Sequence, residues 1–279
     1  LDALARLAAA VVVLVARAAD EVPEARAGLV VEGVEEHVDV HRRARLVGAS
    51  LRLQDNPEID AGFVKGGLVG SMQGRLARSK AQDWQSKQLG KLRSVGRLFY
   101  EPIWVFVRAD ATGDSLRELK GKRILTGTRE SGARRIASQL LRANGIEVSK
   151  NNPLIVEEDL SIDGSQITSG KADAAFLIQP ADTDRIQSLL RNPGIRLLNF
   201  AQEADAYANR FPALAKVLLN RGAVEFDPVT PAGDIMLLAT SVALVARADL
   251  EPSLMTLLSF AVLNNPRSAF DRSGDPVLF

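Results

Sequence analysis

The chain has 279 residues, 46% hydrophobic and 25% charged, with 35 Lys and Arg against 34 Asp and Glu, for a net charge of +1. That balance excludes a strongly basic nucleic-acid binder, and 5% aromatics leave no stacking platform for bases. Cysteine is absent, which rules out disulfides, thiolate metal sites and a cysteine nucleophile, and the length suits two lobes of roughly 100–150 residues each.

Residues 1–19 read as a signal peptide or N-terminal anchor. Leu4-Ala5-Arg6-Leu7 leads into an apolar run from Ala8 to Ala16, and Ala16-Arg17-Ala18 offers small residues at signal-peptidase spacing. The run is shorter than the roughly 20 residues of a spanning helix, and it reads also as a buried Ala/Val helix or strand. Residues 20–48 mix acids, bases and Val. His37 and His41 are the two histidines of the chain and would share a face of a helix, as metal ligands can. No third ligand or glycine-framed pocket follows, so solvated histidines are expected and no metal site is assigned.

From residue 50 the order becomes clearer. Ile59 to Val64 reads as a short strand closed by Lys65-Gly66-Gly67, where the backbone can approach a ligand closely. Residues 72–90 are polar helix or loop. Leu92–Gly96 and Leu98–Val107 follow as strands, the second interrupted at Pro102, and Ile103 to Val107 is the continuous apolar run of a sheet covered on both faces. A helical turn at 115–119 and Gly121 precede a strand at Ile124-Leu125. A polar Gly/Ser loop then opens a helix marked by Ile136, Leu140 and Leu141. This strand–loop–helix order places unpaired helix N–H groups where open α/β sheets bind ligands, and their dipole favours an anion.

Further on, 162–170 reads as a helix and Asp173 to Ile178 as a strand ending in Gln179-Pro180. A helix at 182–191 and a strand at 195–200 come next. Residues 201–219 read as helices broken at Phe211-Pro212, and 227–233 as a rigid loop. Ile235 to Ala246 is a long apolar segment, and 251–264 a terminal helix. The alternation of strand and helix predicts an α/β fold.

Two stretches carry a family resemblance. Leu98-Phe99-Tyr100-Glu101-Pro102-Ile103-Trp104-Val105-Phe106 resembles the tyrosine–acid–proline strand of the TAXI family, the solute receptors of TRAP transporters. Residues 116–134, from Leu116 through Lys120-Gly121-Lys122 to Ser131-Gly132, are similar to that family's L-x-x-L-x-G-K-x-I…G…S-G stretch. The strands at 60–64 and 173–178 and the segment 237–250 match its pattern too, so the likeness spans about 50–270. It implies a two-lobed periplasmic-binding-protein-like (type II) fold with hinge-crossing strands. It also implies a periplasmic, exported or membrane-anchored receptor that closes over a small organic anion and hands it to TRAP membrane subunits. The expected lobes are 20–107 and 108–200, with 201–279 returning to the first. Where the family commonly has Gly-Gly-Pro after the second lobe's strand, this chain has Gln179-Pro180.

Candidate ligand contacts are Lys65 and Gly66 in the first lobe, Tyr100 and Glu101 at the crossing strand, Thr128, Ser131, Gly132 and Arg134 at the helix start, and Gln179 and Pro180. Ser131 and Gly132 offer N–H groups to a carboxylate, or else a plain serine N-cap. Arg134 offers a bidentate clamp. Tyr100 and Glu101 suit stacking and an ammonium group, or hinge packing. No catalytic residue, metal or cofactor is expected. G-x-S-x-G, Walker A and G-x-G-x-x-G motifs are absent. The competing readings are the sensing domain of a regulator and an enzyme on the same scaffold, such as a synthase or dehydratase.

Overall fold

The structure, a computed structural model, describes residues 61–65, 92–127, 131–148, 152–156 and 163–263. In chain order the described strands are β1 (Ala61–Lys65), β2 (Leu92–Arg108), β3 (Ile124–Leu125), β4 (Ile155–Val156), β5 (Ala174–Ile178), β6 (Ile195–Leu197), β7 (Leu214–Leu219), β8 (Glu225–Phe226), β9 (Val229–Thr230) and β10 (Ile235–Arg247). The helices are α1 (Gly132–Ala143), α2 (Ser165–Thr168), α3 (Asp184–Leu190), α4 (Ala204–Arg210) and α5 (Pro252–Leu263), with a 3-10 turn at Leu116–Leu119. The architecture is mixed α/β around a central sheet, the expected class.

The chain forms two compact units. One holds, among the described residues, 61–65, 92–99 and 242–263; the other holds those from 100 to 241. β2 and β10 each contribute residues to both.

In the first unit β1 pairs antiparallel with β10, Ala61 opposite Ala246 and Lys65 opposite Val242. α5 packs Leu257, Leu258, Phe260 and Val262 against Val242, Leu244, Val95 and Phe99. Gly96 permits this approach: a Cβ there would lie 2.6 Å from Val262 Cγ1, closer than carbon atoms can sit.

In the second unit β5 lies between β2, its antiparallel partner, and β3, its parallel partner; β4 continues the parallel set beyond β3. Side chains alternate across strands, and the core sorts accordingly. Ile103, Val105, Val107, Phe176 and Ile178 meet Ile136, Leu140 and Leu141 of α1. Trp104, Phe106, Ala175 and Leu177 meet Ile167 of α2 and Ile186 and Leu189 of α3 on the other face. The result is a helix layer on each side of the sheet, which is why residues 103–107 are apolar without a break and all buried.

Three segments differ from the sequence expectation. β2 is one strand of 17 residues and continues through Pro102. Its ladder to β5 begins at Ile103, so the missing N–H of Pro102 falls just outside the residues paired with β5. Residues 201–219 hold one helix, α4, and then β7, not helices on both sides of Pro212. Along β7 Val217 and Leu219 are buried while Lys216 and Leu218 are exposed, a two-residue period, and six rungs join it to β10. The expected loop at 227–233 includes β9, which closes a short hairpin with β8.

Candidate ligand-binding site

β3 is two residues long and runs into Thr126 and Gly127. Thr126 donates its main-chain N–H to Val156 O at 3.0 Å and its hydroxyl to the same oxygen at 3.2 Å. Gly127 then takes φ 80°, a left-handed conformation that glycine adopts without strain, and the backbone leaves the sheet. Ser131 caps α1, its Oγ accepting the Arg134 N–H at 3.2 Å. That bond satisfies one of the orphan donors every helix start carries.

The first turn of α1 contains Arg134 and Arg135 and no acid. Cations are disfavoured at a helix N-terminus, because they add to the positive end of the dipole. Arg134 is nevertheless 8% exposed and donates Nη1 to Thr126 Oγ1, which is fully buried. Arg134 and the N–H groups that open α1 thus lie at the carboxyl ends of the parallel strands, the edge where open α/β sheets take ligands.

Other candidates reach the same edge of the second unit. β5 exits there through Gln179-Pro180. β2 runs antiparallel to it, so extending the register from Ile103 opposite Ile178 brings Glu101 level with Pro180. Alternation divides these residues between the faces. Glu101 follows Ile103 and Val105 to the α1 side, as Thr126 follows Ile124. Tyr100 packs on the opposite cluster with Trp104 and Phe106. Gln179 is tied to that side by its main-chain oxygen, which accepts Trp104 Nε1–H at 2.9 Å. The Gln179 side-chain oxygen is buried with no hydrogen-bond donor among the described residues.

By this alternation Glu101 falls on the face that α1, with Ser131, Gly132 and Arg134 at its start, covers, and Tyr100 and Gln179 fall on the other. Lys65 ends β1 in the first unit. Gly66 and Thr128 lie outside the described residues, as do His37, His41 and residues 1–19. Thr126 was not among the sequence candidates. Its signal was slight: a hydroxyl residue between a two-residue strand and a glycine.

An open concavity of about 540 Å³ lies at the opposite edge, where β2 ends and β5 begins. Its polar groups engage one another. Arg196 holds Ala111 O, Gly113 O and Asp114. Asp173 accepts the Arg123 N–H at 2.8 Å. Arg108 and Asp110 pair, and their mutual hydrogen bond raises the pKa of the first and lowers that of the second. These contacts shape a loop and converge on no common point. Among the described residues no cluster of three or more His, Cys, Asp or Glu could hold a metal ion, and no helix is long and apolar enough to cross a membrane.

A family model described as the NMT1-like family matches residues 50–269. Solved structures similar to this chain include the periplasmic aliphatic sulphonate binding protein SsuA from Escherichia coli, at 16% identity and a TM-score of 0.43 over 76% of this chain and 58% of that one. An amino acid ABC transporter substrate-binding protein, AbpA from Streptococcus pneumoniae, bound to L-arginine, matches at 14% identity and a TM-score of 0.40, over 76% of this chain and 64% of that one. A hydrogen-peroxide-bound OxyR mutant from Corynebacterium glutamicum matches at 13% and 0.45, over 77% and 51%. The chain thus spans less than two thirds of the length of each.

Proposed function

The chain belongs to the NMT1-like family, and from that premise we propose that it is an extracytoplasmic receptor for a small organic anion, a carboxylate or amino acid, serving the membrane subunits of a TRAP-type transporter. The observation that carries the proposal is the buried Arg134 in the first turn of α1, joined to Thr126 at the carboxyl edge of the parallel strands. Helix N–H groups and an arginine side by side at such an edge suit an anionic group. The TRAP assignment rests on the resemblance of residues 98–106 and 116–134 to the TAXI receptors. Binding is by hinge closure, with contacts made only in the closed form driving it, and involves no chemical step. The proposed location is the periplasm.

The test is thermal unfolding of the full chain in the presence of succinate, L-glutamate and other small organic acids. A ligand at 100 times its Kd adds about 2.7 kcal/mol, a rise in Tm of several degrees. A selective rise supports the receptor reading and identifies the ligand class. Cooperative melting that no acid in the panel shifts would count against it.

A further inference from the structure

We propose that the Phe226 tip of the β8–β9 hairpin is a docking knob for a second copy of this chain, seated in that copy's concavity where β2 ends and β5 begins. The contact is separate from the anion site and does not depend on the receptor reading.

Phe226 is 87% exposed. A lone exposed apolar side chain is ordinary on a protein surface, but this one is held firmly. Phe226 pairs with Val229, and Glu225 with Thr230. The Gly222 N–H donates to Pro231 O at 3.0 Å and the Val224 N–H to Thr230 O at 2.9 Å. Asp234 accepts the Arg221 N–H at 2.7 Å and closes the base of the hairpin. Arg191, the residue that ends α3, bonds Glu225 at 3.3 Å. The ring itself lies over Gly222, where a Cβ would sit 3.4 Å from Phe226 Cδ1. Asp227 follows at the apex, exposed and without an ion pair among the described residues. A knob already fixed in this way loses little freedom on docking.

The concavity of about 540 Å³ supplies the seat. Benzene fits a cavity of roughly 150 Å³, so there is room for the ring and the apex behind it. Val107, Leu119 and Leu198 give the seat an apolar floor. Most of its charges are already matched: Arg108 pairs with Asp110, Arg196 with Asp114 and Arg123 with Asp173. Glu118 folds its carboxylate onto Gly113. Lys122 has no ion pair among the described residues, and its charge complements the exposed carboxylate of Asp227.

A chain does not fill its own seat. The floor residues pack with α1, whereas α3, to which Arg191 ties the hairpin, packs on the opposite face of the sheet. Knob and seat are thus two unlike patches on one surface, the arrangement that joins copies through a heterologous contact.

The experiment is sedimentation velocity of the full chain at low salt, from about 1 to 200 µM because a contact this small is transient. Wild type is expected to associate as concentration rises. Phe226→Ser removes the knob, and Lys122→Glu reverses the charge of the seat. Both positions are exposed and outside the core, so both variants keep the fold. Each is expected to raise the dissociation constant of self-association at least tenfold. An equimolar mixture of the two is expected to associate where neither does alone, since the first keeps its seat and the second its knob. A wild type that stays monomeric throughout overturns the proposal. So does self-association that Phe226→Ser leaves unchanged, and so does a mixture that associates no better than its components.

Discussion

The indole N–H of Trp104 donates to the main-chain oxygen of Gln179 across 2.9 Å, which fastens the middle of β2 to the exit of β5. Trp104 is fully buried, and its ring stacks on Phe106 with centroids 6.4 Å apart. One side chain thus belongs to the core and also sets the course of the backbone as it leaves the sheet toward the candidate site.

Replacing Trp104 with Phe removes the donor and some ring volume together. The lost hydrogen bond and the residual cavity should lower the unfolding free energy by about 2–4 kcal/mol, read as an earlier midpoint in urea with little change in slope. A drop below about 0.5 kcal/mol would show that the bond and the packing contribute little.

How far the sequence was legible depends on how local each signal is. The apolar run from Ile103 to Val107 announced a doubly covered strand because every residue there is buried on its own account. Ser131-Gly132 announced a helix start because capping is a matter of three or four residues. Pro102 misled, since a proline is compatible with a strand only at particular places in the ladder, and that register is set by β5, more than 70 residues away. β7 was read as helix because Leu214 to Leu219 is too short and too rich in leucine for its period to be decided without knowing that β10 lies beside it. Within the site, Arg134 stood out by charge. Thr126 became visible only once β4 was seen to present a carbonyl beside it, a contact with Val156 that no sequence spacing encodes.

Tyr207 provides a test of pH dependence. It is 7% exposed, its hydroxyl accepts Asn144 Nδ2–H at 2.7 Å, and its ring meets Phe200 edge-on. Burial, ahead of the opposing effect of Asn144, pushes its phenol pKa above the ordinary value near 10.0. Through that range the unfolded chain releases the proton while the folded chain keeps it, so the unfolded state binds fewer protons and stability falls as pH rises. Below the ordinary value the contribution is fully present. Tyr207→Phe should lower stability by about 1 kcal/mol at neutral pH through the lost hydrogen bond, and should decline less steeply than wild type above pH 10. Parallel curves for the two proteins between neutral pH and pH 11 would refute the assignment.

Arg196 organises the loop at the edge remote from the candidate site. Its Nη2 donates to Ala111 O at 2.9 Å and to Gly113 O at 2.5 Å, and its Nη1 to Asp114 at 2.8 Å. Lysine has no planar fork to reproduce this set. Arg196→Lys should therefore cost about 1–3 kcal/mol and speed amide exchange across 109–114, without changing the affinity for an anion at the α1 edge. A matching loss of affinity would mean that the functional site had been placed at the wrong edge.

Ser131 separates stability from binding with two substitutions. Its Oγ caps α1 through the Arg134 N–H, and the turn that follows carries two arginines and no acid. Ser131→Ala removes the cap and should lower stability by about 1 kcal/mol. Ser131→Asp keeps a capping oxygen and adds a negative charge at the positive end of the dipole beside Arg134, so the folded protein should be as stable as wild type or more so. The same carboxylate occupies the potential that an anionic ligand needs. Affinity for succinate or L-glutamate should therefore fall at least tenfold in Ser131→Asp, while Ser131→Ala loses less affinity despite being the less stable protein. Denaturation midpoints and titrations on the same preparations measure both effects. If Ser131→Asp binds as tightly as wild type, the start of α1 serves as a helix cap and the anion is held elsewhere. If affinity instead follows stability across the pair, Ser131 acts through folding alone.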